Sequence, residues 1–323
     1  MLYIVVFLLL STLILLYFKI ADKYNIVDKP NERSSHTEIT LRGGGVIIWF
    51  AALIYFLIHI KANFLFFTGI TLISFISFYD DIKSLPSRVR ALVQLFSVAI
   101  IFYDLAIYSI FPWWGVVLAF IISVGIINAY NFMDGINGIT GLYSIVVFGS
   151  FLYVNNNVVA FTDSDFLIFP IIACAIFLFF NYRKKAKCFA GDIGSISIAF
   201  WIIYILVKLV ITTNSIAWLL FLAVYGVDSI CTILHRLYLK QNIFKPHRLH
   251  FYQILSNEYK IDHRIVALLY AVVQGIVSLV TIMLYSKDNS VNIVVALIIL
   301  LPLLFIYTAK FILIRNGSVY NKR

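Results

Sequence analysis

The sequence predicts an all-α, polytopic membrane protein with about eleven transmembrane helices. Of its 323 residues, 62% are hydrophobic and only 12% are charged. The mean hydropathy of +0.97 is too high for a water-soluble domain of this length. Apolar runs of about 17 to 22 residues, the length that crosses a bilayer, recur along the whole chain. They lie near 2–19, 43–60, 64–79, 91–108, 114–130, 139–154, 166–181, 194–210, 216–234, 265–285 and 291–312.

The first apolar run, 2–19, is expected to be a retained helix. It has no small-residue cleavage site and is followed by the polar stretch KIADKYN, so it differs from a secretory signal. No soluble domain, low-complexity segment or internal repeat interrupts the chain. We therefore expect residues 1–323 to form a single transmembrane domain, with its main loops near 20–42, 80–90, 182–193 and 235–264.

The distribution of Lys and Arg predicts the orientation. If the N-terminus is outside, 22 of the 25 Lys and Arg residues lie on one side of the membrane, and only Lys61, Lys208 and Lys287 lie on the other. Basic loops face the cytoplasm. The four main loops and the C-terminus are therefore expected to be cytoplasmic. The excess of Lys and Arg in cytoplasmic loops explains the basic pI of 9.4. The basic charge therefore gives little reason to expect a nucleic-acid partner.

Five aspartates fall near the cytoplasmic ends of the expected helices. A charge at the hydrocarbon boundary costs a few kcal/mol unless it is paired, hydrated or bound to a metal. Polar helix caps would explain any one of them. The adjacent Asp80 and Asp81, however, repel each other unless a cation or substrate group lies between them. A hard divalent cation such as Mg²⁺ is the natural partner for such oxygen ligands. The five are Asp80, Asp81, Asp134, Asp192 and Asp228.

Two glycine-rich stretches and one histidine loop accompany these acids. NAYNFMDGINGITG (128–141) and GDIGS (191–195) combine a carboxylate with flexible backbone, which suits phosphate binding, although glycines also serve helix packing. KPHRLHFYQ (245–253) brings His247, Arg248 and His250 together, and such a loop favours contact with a diphosphate over simple solvation. A basic first loop, 33–36, followed by LRGGG is a weaker indication of the same kind.

These motifs, in this order and spacing, resemble the polyprenyl-phosphate N-acetylhexosamine-1-phosphate transferase family of glycosyltransferase 4 type, in the branch outside peptidoglycan synthesis. The resemblance rests on FYDDIKSLPSRVRALVQ, NAYNFMDGINGITG, NYRKKAKCFAGDIGS, VYGVDSICTILHR and KPHRLHFYQ. It implies a multi-pass enzyme of the bacterial inner membrane with a cytoplasmic active site. The implied reaction transfers N-acetylhexosamine 1-phosphate, of GlcNAc type or a 6-deoxy relative, from a UDP-sugar to undecaprenyl phosphate.

The same resemblance implies a cofactor and a pathway. The cofactor is Mg²⁺, with Mn²⁺ as a substitute, and UMP is the second product. The lipid-linked sugar would start a surface glycan such as O-antigen of lipopolysaccharide or a cell-wall polysaccharide. The partners are thus the UDP-N-acetylhexosamine, undecaprenyl phosphate and the lipid bilayer.

The resemblance also implies roles for individual residues. Asp80 and Asp81 match the paired catalytic aspartates, and Asp192 matches the principal Mg²⁺ ligand. His247 and His250 fall in the catalytic histidine loop. The candidate substrate-binding residues are Asn131, Asp134, Asn137, Asn181, Phe189, which would stack on uracil, and Arg248.

The chain departs from the family pattern at several positions. Asn137 replaces the second acid of the family's DGxDG stretch, which removes any ionic role there. RKKAK (183–187) replaces a proline-bearing approach to GDxGS, and ITL precedes RGGG where the family has PTP. The histidine loop lacks the triple histidine of the peptidoglycan branch. A muramyl-pentapeptide substrate is therefore set aside.

Two questions of function stay open at the level of sequence. Intramembrane carboxylates with histidines also occur in cation- or proton-coupled transporters and would suit a lipid-linked sugar translocase. Transporters place such groups near the midplane, whereas here they gather at the inner helix ends. Asp80 is the candidate for taking the acceptor's proton, with Asp81 in support, and a covalent aspartyl-phosphate intermediate is the alternative scheme.

Overall fold

A computed structural model describes residues 1–28, 38–60, 63–243 and 247–316. The basic first-loop segment 33–36, with His36, lies outside these residues. The described chain is almost entirely helical, as the composition predicts. The long helices are α1 (Leu2–Lys23), α2 (Val46–Ile58), α3 (Phe64–Ile82), α4 (Ser87–Asp104), α6 (Trp113–Met133), α7 (Ile139–Asn157), α8 (Ser164–Asn181), α9 (Gly191–Thr213), α10 (Ala223–Tyr238), α12 (His263–Leu284) and α13 (Asn289–Asn316).

Each of the eleven expected membrane segments coincides with one of these helices. Nine helical segments of the described chain are long and apolar enough to cross a membrane, which confirms a polytopic membrane protein. The two others are α2, which is apolar but only 13 residues long, and α4, which carries Arg88 and Arg90 in its first turn. The exact number of spans and their orientation remain predictions.

Several short elements are absent from the sequence-based prediction. The run near 91–108 is divided, because Ala106 adopts a left-handed backbone between α4 and the short α5 (Ile107–Ile110). A 3₁₀ turn (Ile216–Leu222) continues directly into α10, and together they form one apolar segment. The histidine loop contains the short α11 (Phe251–Gln253), followed by one π-helical turn (Ile254–Glu258).

One helix, α9, forms the centre of the bundle. Every side chain from Ile193 to Leu206 is buried, as expected of a helix that is apolar on all sides. The helices around it bury only one face. Their outward side chains are apolar and at least half exposed, which suits contact with lipid rather than water. Examples are Leu8, Val117, Ile276 and Phe305.

The only strands among the described residues are two very short ones, and they fix the chain between α1 and α2. Strand β1 (Val27–Asp28) pairs antiparallel with β2 (Thr40–Leu41). Leu41 also bridges in parallel to Cys188, and the amides of Gly44 and Gly45 donate to the carbonyls of residues 189 and 190 at 2.8 and 3.0 Å. The segment before α2 therefore lies against the segment that leads into α9.

This close approach depends on two glycines. A Cβ on Gly45 would lie 2.1 Å from the Cα of Gly194, far inside any real contact. The beginnings of α2 and α9 can therefore touch backbone to backbone only because neither residue has a side chain. Gly45 belongs to the stretch RGGG and Gly194 to GDIGS. At these two positions helix packing, rather than phosphate binding, explains the glycine.

Candidate active site

A cavity of about 360 Å³ opens where the cytoplasmically assigned ends of the helices meet. Its walls come from four parts of the chain that are distant in sequence. They are Asn131 with 134–137, the stretch 189–192 with Asn181, the pair Asp28 and Arg42, and Gln253 with His263. Carboxylates, amides, an aromatic ring and an arginine thus surround one space, which is the composition of a polar ligand site.

Six of the eleven site residues expected from the sequence line this cavity. They were proposed from separate motifs, and the fold brings them together around one volume. Their roles as ligand contacts remain predictions, but their common location is a finding. They are Asn131, Asp134, Asn137, Asn181, Phe189 and Asp192.

The amides among them also build the cavity wall. Asn181 is buried; its Oδ1 accepts from the amide of Gly138 at 2.6 Å, and its Nδ2 donates to the carbonyl of Cys188 at 2.8 Å. Asn137 Nδ2 donates to the carbonyl of Arg183 at 2.9 Å. These bonds tie the 128–141 stretch to the loop between α8 and α9. Asn181 therefore holds two walls of the cavity at a fixed separation.

Asp134 directly follows α6 and faces the cavity. Its Oδ1 accepts from the hydroxyl of Thr140 at 2.6 Å. Burial raises the pKa of Asp134 from 3.8 to about 6; the negative charge of Asp81 adds to the increase, while Thr140 and Arg42 oppose it. A carboxylate that is costly to keep charged in the free protein favours a ligand that donates hydrogen bonds to it.

Asp81 accepts three hydrogen bonds within the protein. Its Oδ1 accepts from the amide of Asp192 at 2.9 Å and from Arg42 Nε at 2.8 Å, and its Oδ2 accepts from the amide of Ile193 at 3.1 Å. It therefore neutralises the positive N-terminal end of α9. Gly191 makes this possible: its φ is +72°, and a Cβ there would lie 2.4 Å from Asp81 Oδ2.

Asp80 points to a different partner. Its Oδ1 accepts from the amide of Leu85 at 2.5 Å and its Oδ2 from Arg90 at 2.9 Å. The adjacent aspartates pair with two different arginines: Arg90 with Asp80 and Arg42 with Asp81. Neither aspartate is among the cavity-lining residues.

Asp192 has the least committed carboxylate of the three. Its closest cationic neighbours are Arg90 Nη1 at 3.4 Å and Arg42 Nη2 at 3.9 Å, and its side chain borders the cavity. Mg²⁺ binds through one or two carboxylates together with phosphate oxygens and water. An under-paired carboxylate at the wall of a polar cavity fits that requirement. The donor set therefore fits Mg²⁺, with Asp192 as its ligand.

Residues 63–210 match the model of glycosyl transferase family 4. Over this range the chain is similar to glycosyl transferase family 4. The match extends from the beginning of α3 into the last turn of α9, so it contains Asp80, Asp81 and Asp192 together with the 128–141 stretch. It does not include Arg42 or the histidine loop.

Curated relatives carry related names. An undecaprenyl-phosphate α-N-acetylglucosaminyl 1-phosphate transferase of Yersinia pestis is 27% identical over 259 residues, 73% of this chain and 71% of the relative. The enzyme of the same name in Escherichia coli K12 is 28% identical over 279 residues, 76% and 74% of the two chains. A probable undecaprenyl-phosphate N-acetylglucosaminyl 1-phosphate transferase of Bacillus subtilis is 27% identical over 308 residues, 88% and 84%. These names agree with the family predicted from the motifs.

Asp228 binds the histidine loop. That aspartate is 2% exposed, accepts from the amide of Phe251 at 2.9 Å and from the hydroxyl of Tyr270 at 2.7 Å, and lies 3.3 Å from His250 Nδ1. The buried His250 therefore faces α10. His247, Arg248 and His250 are not among the cavity-lining residues.

The loop still reaches the cavity through a different residue. Gln253 lines it, and the hydroxyl of Tyr252 donates to the carbonyl of Phe132 at 2.9 Å, which joins the loop to the 128–141 stretch. Burial, with a contribution from nearby His250, lowers the pKa of His247 to about 3, so His247 is uncharged at neutral pH. The amide of His250 donates to Gln253 Oε1 at 3.2 Å, so the loop positions Gln253 at the cavity. A direct contact of these histidines with a diphosphate stays a prediction.

Four polar or charged cavity residues do not follow from the sequence patterns. Arg42 lies in the LRGGG stretch, which the sequence marks as basic and glycine-rich. Its contacts with Asp81 and Asp192 could not be predicted from that stretch. Asp28, Gln253 and His263 carry no local pattern that distinguishes them from ordinary loop or helix-end residues. Only the pairing of β1 with β2 and the fold of the histidine loop place these residues at the cavity.

Proposed function

We propose that this protein transfers an N-acetylhexosamine 1-phosphate from a UDP-sugar to undecaprenyl phosphate and releases UMP. The observation that supports it most is the polar cavity at the helix ends, which is lined by Asp192 and Arg42 together with Phe189 and Asp134. The names of the relatives support undecaprenyl phosphate as the acceptor and an N-acetylglucosamine-type sugar as the transferred group.

The donor nucleotide occupies the side of the cavity formed by Phe189, Asp134 and Asn137. The ring of Phe189 stacks on the uracil, and the Asp134 carboxylate accepts from ribose or base donors. Asn137, already bonded to the carbonyl of Arg183, adds no charge there. Arg42 contacts the donor diphosphate, since guanidinium groups bind phosphate oxygens through charge-assisted hydrogen bonds.

Asp192 would hold Mg²⁺. When bound, the ion neutralises phosphate charge and makes UMP a better leaving group. Arg90, which already connects Asp80 and Asp192, keeps these two carboxylates close together before substrates arrive. Pre-placed charges of this kind act without reorganisation when charge moves during the reaction.

In the reaction, an oxygen of the acceptor phosphate attacks the sugar-bearing phosphorus of the donor. A new P–O bond forms, the bond between the two donor phosphates breaks, and its electron pair leaves with UMP. The acceptor is a phosphate monoester whose second pKa lies near 6, so at neutral pH at most one proton must be removed. Asp80 is the group that takes this proton. It lies near Asp192, because Arg90 donates to both carboxylates.

The reaction takes place at the cytoplasmic face of the bacterial inner membrane. The cavity lies at the helix ends to which the positive-inside rule assigns the cytoplasm, where UDP-sugars are present. The lipid acceptor reaches it from the bilayer that surrounds the bundle. Its product would begin a lipid-linked surface glycan.

An assay with the purified full-length chain in detergent tests this function. UMP release should require three additions together: a UDP-sugar, undecaprenyl phosphate and Mg²⁺. A panel of UDP-GlcNAc, UDP-GalNAc and 6-deoxy donors identifies the sugar. Asp192→Asn should abolish turnover, whereas Asp22→Asn, an exposed aspartate near the end of α1, should leave it unchanged.

The same assay separates the transferase from a transporter or translocase. Transport needs a sealed vesicle and forms no UMP. UMP release that depends on the lipid acceptor supports the proposal. No release with any donor of the panel, although the protein is folded, would contradict it.

A further inference from the structure

A second cluster of polar side chains lies at the opposite end of the bundle from the cavity. His59 follows the last residue of α2, and Asp163 and Asp165 lie at the beginning of α8. The other end of α8, at Asn181, borders the cavity. A helix of this length is roughly 27 Å long, so the two clusters are on opposite faces of the protein.

The three side chains present their donor atoms to one another. His59 Nε2 lies 3.4 Å from Asp165 Oδ2 and 3.7 Å from Asp163 Oδ2. Ligands about 2.1 Å from a tetrahedrally coordinated Zn²⁺ are separated from each other by about 3.4 Å. The two distances from His59 Nε2 are close to this value, and all three donor atoms lie within 4.8 Å of one another, so they can share one such ion.

The imidazole does not behave as an ordinary ion-pair partner. Its Nε2 atom is buried and makes no hydrogen bond to any described residue, although two carboxylate oxygens are within 4 Å. A buried ring nitrogen without a partner is costly. Asp163 Oδ2 accepts one long hydrogen bond, from the hydroxyl of Tyr55 at 3.4 Å. A metal ion between Nε2 and the two oxygens would give Nε2 a partner and bind both carboxylates.

Neighbouring residues hold the three side chains in this arrangement. Tyr3 donates to Asp165 Oδ1 at 2.8 Å, and the amide of Asp165 donates to Asp163 Oδ1 at 3.1 Å, so each Oδ2 faces His59. Tyr55 stacks on the His59 ring with centroids 4.5 Å apart. Outer hydrogen bonds that orient the ligands are a regular feature of metal sites.

We propose that His59, Asp163 and Asp165 bind a divalent transition-metal ion of Zn²⁺ type. Within the described chain they are the one group of three His, Cys, Asp or Glu side chains whose donor atoms are close enough to share an ion. A nitrogen ligand favours Zn²⁺ over Mg²⁺. The ion joins α2 to α8, and to α1 through Tyr3, with water at the fourth position.

Metal analysis of the purified full-length chain tests this site. The protein is stripped with a chelator, reloaded with Zn²⁺ alone, freed of excess and measured by mass spectrometry and by thermal unfolding. We expect one zinc ion per chain and a higher melting temperature with zinc. His59→Ala and Asp165→Asn, which keeps the size of the side chain, should each abolish both effects. His235→Ala, a histidine of α10, should retain them.

Asp192→Asn serves as the control for the cavity. Zinc retained by Asp192→Asn but lost from Asp165→Asn supports the proposed site. Zinc lost from Asp192→Asn and retained by Asp165→Asn would place the ion in the cavity and overturn the proposal. Failure of the wild-type chain to bind zinc would also overturn it, whether or not UMP release is observed. If His59→Ala does not fold, Asp165→Asn alone decides the outcome.

Discussion

Two groups of charged residues at the same end of the bundle differ in how completely they are paired. The aspartate–arginine cluster contains Asp80, Asp81, Asp192, Arg42 and Arg90, so it has one negative charge in excess. The Asp228 anchor, in contrast, is one carboxylate surrounded by donors, namely His250, Thr232, Tyr270 and two backbone amides. The first cluster borders the polar cavity through Asp192 and Arg42, whereas Asp228 borders only a small cavity of about 70 Å³ with mainly apolar walls.

This difference separates a reactive region from a supporting one. An incompletely paired carboxylate retains oxygens for a cation or substrate, whereas a saturated one only holds its neighbours in place. We therefore propose that Asp192 takes part in the chemistry and that Asp228 supports the structure. This proposal can be tested because the two assignments predict opposite effects on activity and stability.

Asp192→Asn is expected to have the largest effect on activity. Loss of the charge that holds Mg²⁺ should lower the rate of UMP release by at least about 100-fold, with little recovery in excess Mg²⁺. The melting temperature should stay near that of wild type, because the variant also removes repulsion from Asp80 and Asp81. Near-normal turnover would remove Asp192 from the active site.

Asp228→Ala should show the reverse pattern. Removal of one partner from a buried charged network costs about 3 kcal/mol of stability. We therefore expect a clear fall in melting temperature and in folded yield, and a loss of activity that follows the loss of folded protein. Asp228→Asn, which retains an acceptor, should be milder. A normal melting temperature combined with absent turnover would show that Asp228 takes part in chemistry.

Gly191→Ala tests the connection between Asp81 and α9. The left-handed backbone at φ +72° costs a non-glycine residue about 1–2 kcal/mol, and the added methyl group would displace the Asp81 carboxylate. We expect lower stability and impaired turnover. Gly226→Ala in α10 is the matched control, since nothing lies within 4 Å of its added Cβ. Equal behaviour of the two variants would exclude a capping role for Asp81.

The pH dependence of UDP-sugar binding is the smallest expected effect. Because the pKa of Asp134 is raised to about 6, its carboxylate loses its charge as the pH falls through 6. Binding should weaken over that interval in wild type and show no such change in Asp134→Asn, as calorimetry at a series of pH values would reveal. Retention of the same pH change by Asp134→Asn would assign it to another group.

The raised pKa of Asp134 also affects the stability of the protein. A rise in pH should strengthen UDP-sugar binding but weaken folding. The folded protein holds the Asp134 proton more tightly than the unfolded chain does, so this residue makes folding less favourable as the pH rises from 3.8 to about 6. Asp134→Asn removes that penalty and should raise the melting temperature at neutral pH. If Asp134→Asn binds UDP-sugar more weakly but melts at a higher temperature, Asp134 is a ligand-facing residue.

The helices and most of the cavity wall could be predicted from the sequence because they depend on local patterns. Hydrophobic length fixes a membrane helix, and the stretches around Asp134 and Asp192 carry their own polar and glycine residues. Phe189 and Asn181 followed from the family resemblance. In each case the informative residues are neighbours in sequence.

The partners of the charged residues could not be predicted in this way. Arg42 and Asp81 are 39 positions apart, and Asp228 meets Phe251 across 23 positions. Those contacts depend on how α2 packs on α9 and on the path of the histidine loop. Sequence patterns indicated that Asp81 and His250 are candidate site residues. Only the structure shows that Asp81 is bonded to Arg42 and to the first amides of α9, and that His250 lies against Asp228.

The central claim is that the sugar moves together with its phosphate. The most direct measurement uses UDP-N-acetylhexosamine with a radioactive label on either the α- or the β-phosphate, undecaprenyl phosphate and the purified protein, followed by separation of lipid from nucleotide. We predict that the β-label enters the lipid fraction and the α-label remains in UMP. If the β-label stays with the nucleotide as UDP while the sugar enters the lipid, the reaction is a glycosyl transfer and the proposed function is wrong.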